Sequence, residues 1–492
     1  MFSKKSGGGA SFSSNWKTEQ SLADGGCQTD PVELAEEGCQ VLELSETGVQ
    51  TEEEQTNASK APEYNEESLL MFLKSVGPKV IREIERQNRS RAFDGFSLLE
   101  KEESSGGKIL HTLRLNQLQS NHVVTGIDWS CTGSVVVVAY GSRFHEDWCD
   151  HKGVVTTWNI NRSDFDSNQP EKLIEVSSCV LCVAFHPTNP AVFAVGTYSG
   201  ELLIFDLSHS ESVSPVVVGD CRGCVTALSW IASGGAYPKT PNSVAASTST
   251  GFILLFELNL LKSSLKLKSG FMLQSQDVPR GIRGPIDETE GVEVTSASFN
   301  KEDPTLFVIG AEGGGLFVCS TTSEVPAGKE FDEVRLVRCV TSVLSPHTGR
   351  VLASQFSPHH HNAVLSSASD NQIRLFSILQ PNKPVNVIYS EEIITCAELS
   401  PSRPMVVAVG LVTGQVALHD FGMKSCQPFL SLRAAEKPAS ITYLKFNKKD
   451  MALLAVGDRL GRVSIWHLPD NAVSPLSTEQ TALSSLLDTV TE

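Results

Sequence analysis

A chain of 492 residues, 40% hydrophobic and 20% charged, can bury a sizeable core in one large domain or two to three average ones. Its formal net charge of −17 argues against a general nucleic-acid binder, which needs a basic face. No apolar run approaches the roughly 18 residues of a membrane helix, so no direct membrane insertion is expected.

The opening "MFSKKSGGGASFSSN" has two lysines but no apolar h-region, so no secretory signal is expected. Residues 1–60 hold four Lys or Arg against eleven Asp or Glu. Such a segment cannot bury enough surface to offset its ordering entropy, and is expected to be an arm disordered when free. Within it one short word recurs: "GCQTD" at Gly26–Asp30, "GVQTE" around Gln50, and a weaker "GCQVL" around Gln40. A glutamine among β-formers in an extended acidic segment suits addition as a strand to the edge of a partner's sheet. The candidate contacts are Cys27, Gln28, Thr29 and Asp30; Cys39, Gln40 and Val41; and Val49, Gln50, Thr51 and Glu52. The competing reading is a solvated acidic tail with coincidental words.

Residues 61–104 read as an amphipathic helix and linker. Leu69, Leu70, Phe72, Leu73, Val76, Val80, Ile81 and Ile84 recur at three- and four-residue steps. Glu66 and Glu67 stand at the start and Arg86, Arg89 and Arg91 near the end, which matches the macrodipole. Gly77-Pro78 is expected to kink or divide the helix. The helix either packs on the next domain or is held out for a partner's groove. Its place between an acidic arm and an already complete domain favours the partner.

From about residue 109 a pattern repeats seven times. A β-branched start leads to an anchor five residues on, then come two further apolar strands separated by turns. The anchors are Trp129, Phe185, Trp230, Phe299, Phe356, Leu399 and Phe446, spaced 56, 45, 69, 57, 43 and 47 residues apart. A weaker fourth strand fits before each next unit. Four strands at a period in the forties make a propeller blade, so 105–470 is expected to be an all-β, seven-bladed propeller. The units resemble degenerate WD repeats: no Gly-His opening, and only "FD" at Phe205-Asp206, "WN" at Trp158-Asn159 and "WH" at Trp466-His467 for the ending. A ring leaves open edges unless its first and last blades share strands, so 109–116 is expected to supply the outer strand of the last blade. Residues 471–492 read as a polar tail.

Catalytic and metal chemistry finds little support. "FHEDWCDH", His145 to His151, mixes His, Cys and carboxylates but lies in an expanded loop and matches no structural zinc spacing. "HHH" at His359–His361 falls at a turn, and Asp370 and Asp458 sit in turns where Asp bonds its own backbone. "GAEGGG" lacks the Gly-Lys-Ser/Thr ending of a phosphate loop. No cofactor, no metal and no enzymatic activity are expected. Cysteines inside apolar runs, such as Cys182 and Cys396, suit buried free thiols in a reducing compartment.

Arm, helix and propeller in this order resemble the dynein intermediate chains. "SRAFDGF", "TGSVVVVAYG", "VLCVAFHPTNP", "YSGELLIFDL" and "SWIASGG" are similar to the cytoplasmic dynein 2 branch of that family. The repeated word resembles the motif read by eight-kilodalton-class dynein light chains, although Cys27 and Val49 replace the usual Thr before Gln. The resemblance implies a noncatalytic subunit for retrograde intraflagellar transport and cilium assembly. Its propeller would grip the dynein 2 heavy chain, and it would pair with a second, different WD-repeat intermediate chain. Light chains would join the two arms, and the helix would seat a roadblock-type light chain. The implied location is the cytoplasm and cilium, including axoneme and ciliary base, and the centrosome. The rivals are a generic WD adaptor, such as a ubiquitin-ligase receptor or trafficking scaffold, and a propeller enzyme with a polar channel.

Overall fold

The computed structural model describes residues 66–89, 106–116, 122–142, 145, 149, 151–208, 214–231, 242–282, 290–423, 425–433 and 438–488. The chain divides into two units, 1–98 and 99–492. In the first, α1 (Glu66–Arg89) is one unbroken helix that carries Pro78 inside it. Gly77-Pro78 does not divide it. Proline removes one N–H bond and crowds the preceding turn, but the turns on both sides continue the helix through it.

The second unit is a propeller of seven antiparallel blades. Its chain order begins with β1 (Lys108–Leu113), followed by blade one: β2 (Val123–Trp129), β3 (Val135–Gly141), β4 (Gly153–Asn159) and β5 (Lys172–Val176). Blade two is β6 (Val180–Phe185), β7 (Val192–Thr197), β8 (Glu201–Asp206) and β9 (Val217–Asp220). Blade three is built on β10 (Val225–Ile231), β11 (Ser243–Thr248), β12 (Phe252–Asn259) and β13 (Ser264–Met272). Blade four opens with β14 (Val294–Phe299), β15 (Leu306–Ala311) and β16 (Leu316–Ser320). A hairpin of β17 (Pro326–Phe331) and β18 (Val334–Arg338) follows, and β19 (Val340–Leu344) then completes blade four.

Blade five is β20 (Val351–Phe356), β21 (Ala363–Ala368), β22 (Gln372–Ser377) and β23 (Asn386–Tyr389). Blade six is β24 (Ile394–Leu399), β25 (Val406–Leu411), β26 (Gln415–Asp420) and β27 (Leu430–Arg433). Blade seven is β28 (Ile441–Phe446), β29 (Leu453–Asp458) and β30 (Val463–His467), and its outer strand is β1. β1 pairs antiparallel with β30 from Lys108–His467 to Leu113–Val463, which closes the ring as the sequence predicts.

The repeating sequence rule has a structural cause. In every blade the pairing of first and second strands slips once, just after a buried Val or Ile: Val124, Val180, Val225, Val294, Val351, Ile394 and Ile441. Each stands five residues before its anchor. The bulge adds twist where the inner strands crowd the axis. Apolar packing is spread over the seams between blades, with a buried cluster at each of the seven, and the cluster with Leu113, Trp129, Val136, Ala455 and Ile465 joins blades one and seven.

Two features depart from the simple repeat. The β17–β18 hairpin leaves its own blade and extends blade three to six strands, with β18 parallel to β13. Its turn residues, Asp332 and Glu333, both have positive φ, as a two-residue hairpin of the favoured twist requires. The C-terminal stretch read as a polar tail adds no strand among the described residues, but it folds into α2 (Asp470–Val473) and α3 (Glu479–Asp488). Leu483 and Leu487, four apart on α3, are buried in the seam cluster of blades five and six.

Candidate partner-binding surfaces

The proposed arm contacts Cys27, Gln28, Thr29, Asp30, Cys39, Gln40, Val41, Val49, Gln50, Thr51 and Glu52 lie outside the described residues. The helix residues lie within them. On α1, Leu69, Leu70, Leu73, Val80, Ile81 and Ile84 are all exposed, from 43% to 58%, with Phe72 at 59%, and Val76 is half-buried. These apolar positions form an exposed stripe on the helix.

In the propeller the residue before each anchor ties its blade to the next. The side chains of Asp128, Ser298, Gln355 and Glu398 accept hydrogen bonds from the backbone N–H of the following anchors, Phe185 (2.7 Å), Phe356 (3.2 Å), Leu399 (3.0 Å) and Phe446 (2.8 Å). Trp230 instead donates its indole N–H back to the Ala184 carbonyl at 3.0 Å. Thr226 donates to the Val294 carbonyl at 2.5 Å between blades three and four. Trp129 closes the circle by donating to the Lys445 carbonyl at 3.1 Å. The polar letter before each anchor in "IDW", "ASF", "SQF" and "AEL" was readable in the sequence. Its role was not, because the partner lies one blade away.

This belt also accounts for the charged groups gathered near the axis. Lys445 Nζ lies 2.8 Å from Glu398 Oε1. Burial pulls the ammonium down, but Glu398, Tyr443 and Asp128 outweigh it and hold Lys445 above its ordinary value. Burial pushes Tyr443 up to about 12. Glu398 and Asp128 also hold anchor N–H groups, so these titratable residues serve the seams between blades.

Blade five carries a polar triad that sequence reasoning passed over. His347 Nδ1 lies 3.0 Å from Asp370 Oδ2 and Nε2 lies 2.8 Å from Ser366 Oγ. Asp370 also accepts from the Thr348 and Gln372 N–H groups. His347 sits in "SPHTGR" where a Gly-His opening would place a histidine, so the preceding Pro346 hid it. Asp370 thus bonds its own turn, as expected, in addition to His347, and Asp458 likewise accepts from the Leu460 and Arg462 N–H groups of its turn.

A buried ionic clamp fastens the C-terminal helices. Arg403 Nη2 lies 2.8 Å from Asp420 Oδ2 and also pairs with Glu479, the first residue of α3. Its Nε donates to Glu479 at 2.8 Å and its Nη1 to the Asn471 carbonyl at 2.9 Å. All three side chains are buried.

The WD domain, G-beta repeat family matches residues 338–377, which span the His347–Ser366–Asp370 triad. The chain is 35% identical over 479 residues to mouse (Mus musculus) cytoplasmic dynein 2 intermediate chain 2, covering 94% of this chain and 88% of that protein. It is 34% identical over 415 residues to the human protein of that name, covering 82% and 77%. The chain belongs to the dynein intermediate chain family. Similarity also reaches the Drosophila melanogaster cytoplasmic dynein 1 intermediate chain, at 21% over 374 residues, covering 75% of this chain and 52% of that one.

In this dynein intermediate chain three longer stretches, 141–153, 231–241 and 262–291, interrupt the even spacing of the repeat. The 141–153 segment joins β3 to β4 in blade one. Residues 232–241, in the blade-three insertion, lie outside the described residues. Much of 262–291 is the blade's own outer strand β13 and the following turn, where Asp277 pairs with Arg338 of the added hairpin.

Proposed function

We propose that this chain is a noncatalytic intermediate chain of the cytoplasmic dynein 2 motor, a scaffold that joins the heavy-chain tail to light chains for retrograde intraflagellar transport and cilium assembly. The observation that carries the reading is the 35% identity to cytoplasmic dynein 2 intermediate chain 2 over 94% of this chain. That alignment is longer than the propeller itself, so it takes in sequence ahead of the blades.

The division of labour follows from the physical character of each part. The propeller is a rigid platform whose charged inner groups are engaged between blades, and it serves as the grip on the heavy chain. The exposed aliphatic stripe of α1 is the seat for a roadblock-type light chain. The three glutamine words in the arm, at Gln28, Gln40 and Gln50, are docking strands for eight-kilodalton-class light chains. Their spacings of 12 and 10 residues span roughly 35–40 Å when extended. Twofold light-chain dimers zip this arm to that of a second, different intermediate chain, so weak single sites gain avidity. The working locations are the cytoplasm and the cilium, including axoneme and ciliary base, and the centrosome.

The test is affinity purification from ciliated cells of the full chain and of a version lacking residues 1–98. The full chain should bring down the dynein 2 heavy chain and both light-chain types. The shortened one should keep the heavy chain and lose the light chains. Recovery of ubiquitin-ligase subunits in place of a heavy chain would overturn the reading.

A further inference from the structure

Two loops of the propeller bring together four metal-binding side chains that the sequence holds apart. His145, Cys149 and His151 lie in the β3–β4 connection of blade one, and Cys179 lies in the β5–β6 connection between blades one and two. In an antiparallel blade these two connections emerge at the same end. One donor atom from each residue falls within 4.8 Å of the other three. A tetrahedral zinc with bonds near 2.3 Å to sulfur and about 2.0–2.1 Å to nitrogen has edges of roughly 3.3–3.8 Å. The donor separations therefore need to shorten by at most about 1.5 Å to embrace an ion.

The surrounding backbone is shaped to bring the loops together. Gly141 ends β3 and Gly153 begins β4, so they flank the loop that carries three of the donors. A Cβ on Gly141 would stand 2.6 Å from the Val180 carbonyl oxygen, and one on Gly153 would stand 2.3 Å from that of Ser178. No side chain fits at either position, and the 178–180 backbone passes close enough to present Cys179. Backbone N–H groups point at both sulfurs: Cys179 donates to Cys149 Sγ at 3.3 Å and Ser142 donates to Cys179 Sγ at 3.2 Å. Such bonds stabilise thiolates. The His145 ring stacks on Tyr198 of blade two at 3.9 Å and meets the His151 ring edge-on at 5.6 Å. Cys182 shares a Cys-x-x-Cys spacing with Cys179, but it is buried in the apolar seam of blades two and three and takes no part.

We infer that His145, Cys149, His151 and Cys179 form a structural zinc site that pins the expanded blade-one loop to the seam between blades one and two. Two thiolates and two neutral imidazoles make a borderline-soft S₂N₂ set suited to Zn²⁺, and four protein ligands leave no open position for catalysis. Binding displaces two thiol protons to solvent, so the charge of the ion is balanced by the two thiolates. The sequence pattern conceals this site because the fourth ligand belongs to a different connection.

The test uses the untagged full-length chain, purified with reductant and without chelator. Elemental analysis should find about one zinc per chain, and cobalt loaded in its place should show tetrahedral d–d absorption with thiolate charge-transfer bands. Cys149→Ser and His151→Gln should each abolish both signals, while Cys426→Ser, at an exposed cysteine elsewhere, should keep them. Thermal melts of all variants report folding, and chelation should lower the melting temperature of the wild type but not of Cys149→Ser. Wild-type protein that is folded yet takes up no zinc or cobalt would overturn the inference. So would an intact mass lighter by two hydrogens with Cys149 and Cys179 joined as a disulfide, or full metal retention in Cys149→Ser.

Discussion

Replacing Arg403 with methionine should expose how firmly the C-terminal helices are bound. The guanidinium sits between Asp420 and Glu479, and all three are buried. Methionine fills similar space but leaves two carboxylates facing each other without a cation. Breaking a buried ion pair on one side costs about 3–5 kcal/mol. A cooperative unit of this size has an unfolding entropy near 0.75 kcal/mol/K, so the melting temperature should fall by roughly 4–7 °C. The loss should depend on pH in a defined sense. Asp420 already sits above the usual carboxylate range, chiefly through burial and with Arg403 opposing. Without Arg403 it rises further, and the folded state takes up a proton more readily than the unfolded one. The deficit should therefore narrow as pH falls from about 7.5 to about 5. Thermal melts of Arg403→Met alone, and combined with Asp420→Asn and Glu479→Gln, separate lost packing from stranded charge. A deficit that the neutralising pair leaves untouched would refute the electrostatic argument.

Other outcomes follow from single contacts. His419 in β26 is buried and pushed down to about 4, chiefly by desolvation. The unfolded chain then binds more protons between about 4 and 6.5, so stability held above pH 6.5 is lost on acidification, by roughly 3 kcal/mol in full. His419→Gln should flatten that slope in denaturant melts, and an unchanged slope would contradict it. A fragment of residues 105–492 should fold alone. One that begins at residue 118 lacks β1, bares the β30 edge and loses the fully buried Leu113. Gel filtration should show the first as a monomer and the second as aggregate, and equal behaviour would contradict closure by β1.

Much of the propeller could be read from the chain because one local rule recurs. The β-branched residue five positions before each anchor is both the sequence signal and the site of the bulge. Closure by β1 was legible because Ile109, Leu113 and the missing outer strand of the last blade point to the same answer. The β17–β18 hairpin was not, since nothing in "PAGKEFDEVRLVR" says which sheet edge it joins. The C-terminal helices were hidden because α3 buries little beyond Leu483 and Leu487, while its hold on the blades is an ion pair with Arg403, distant in sequence. Of the two outcomes expected at Gly77-Pro78, division does not occur, because a helix tolerates a proline when the turns on either side persist. Of the candidate sites, the α1 stripe was legible from its period and is exposed in the structure. The four-ligand cluster was not, since it is assembled from two connections.

The central claim is tested most directly by calorimetric titration of a 20–58 peptide with an eight-kilodalton-class dynein light chain, alongside Gln28→Ala, Gln40→Ala and Gln50→Ala versions. The account predicts saturable binding that weakens with the Gln28 and Gln50 changes and less with Gln40. Absence of binding at high micromolar concentration, or affinity indifferent to all three glutamines, would contradict it and leave the propeller as a scaffold without a motor's light-chain arm.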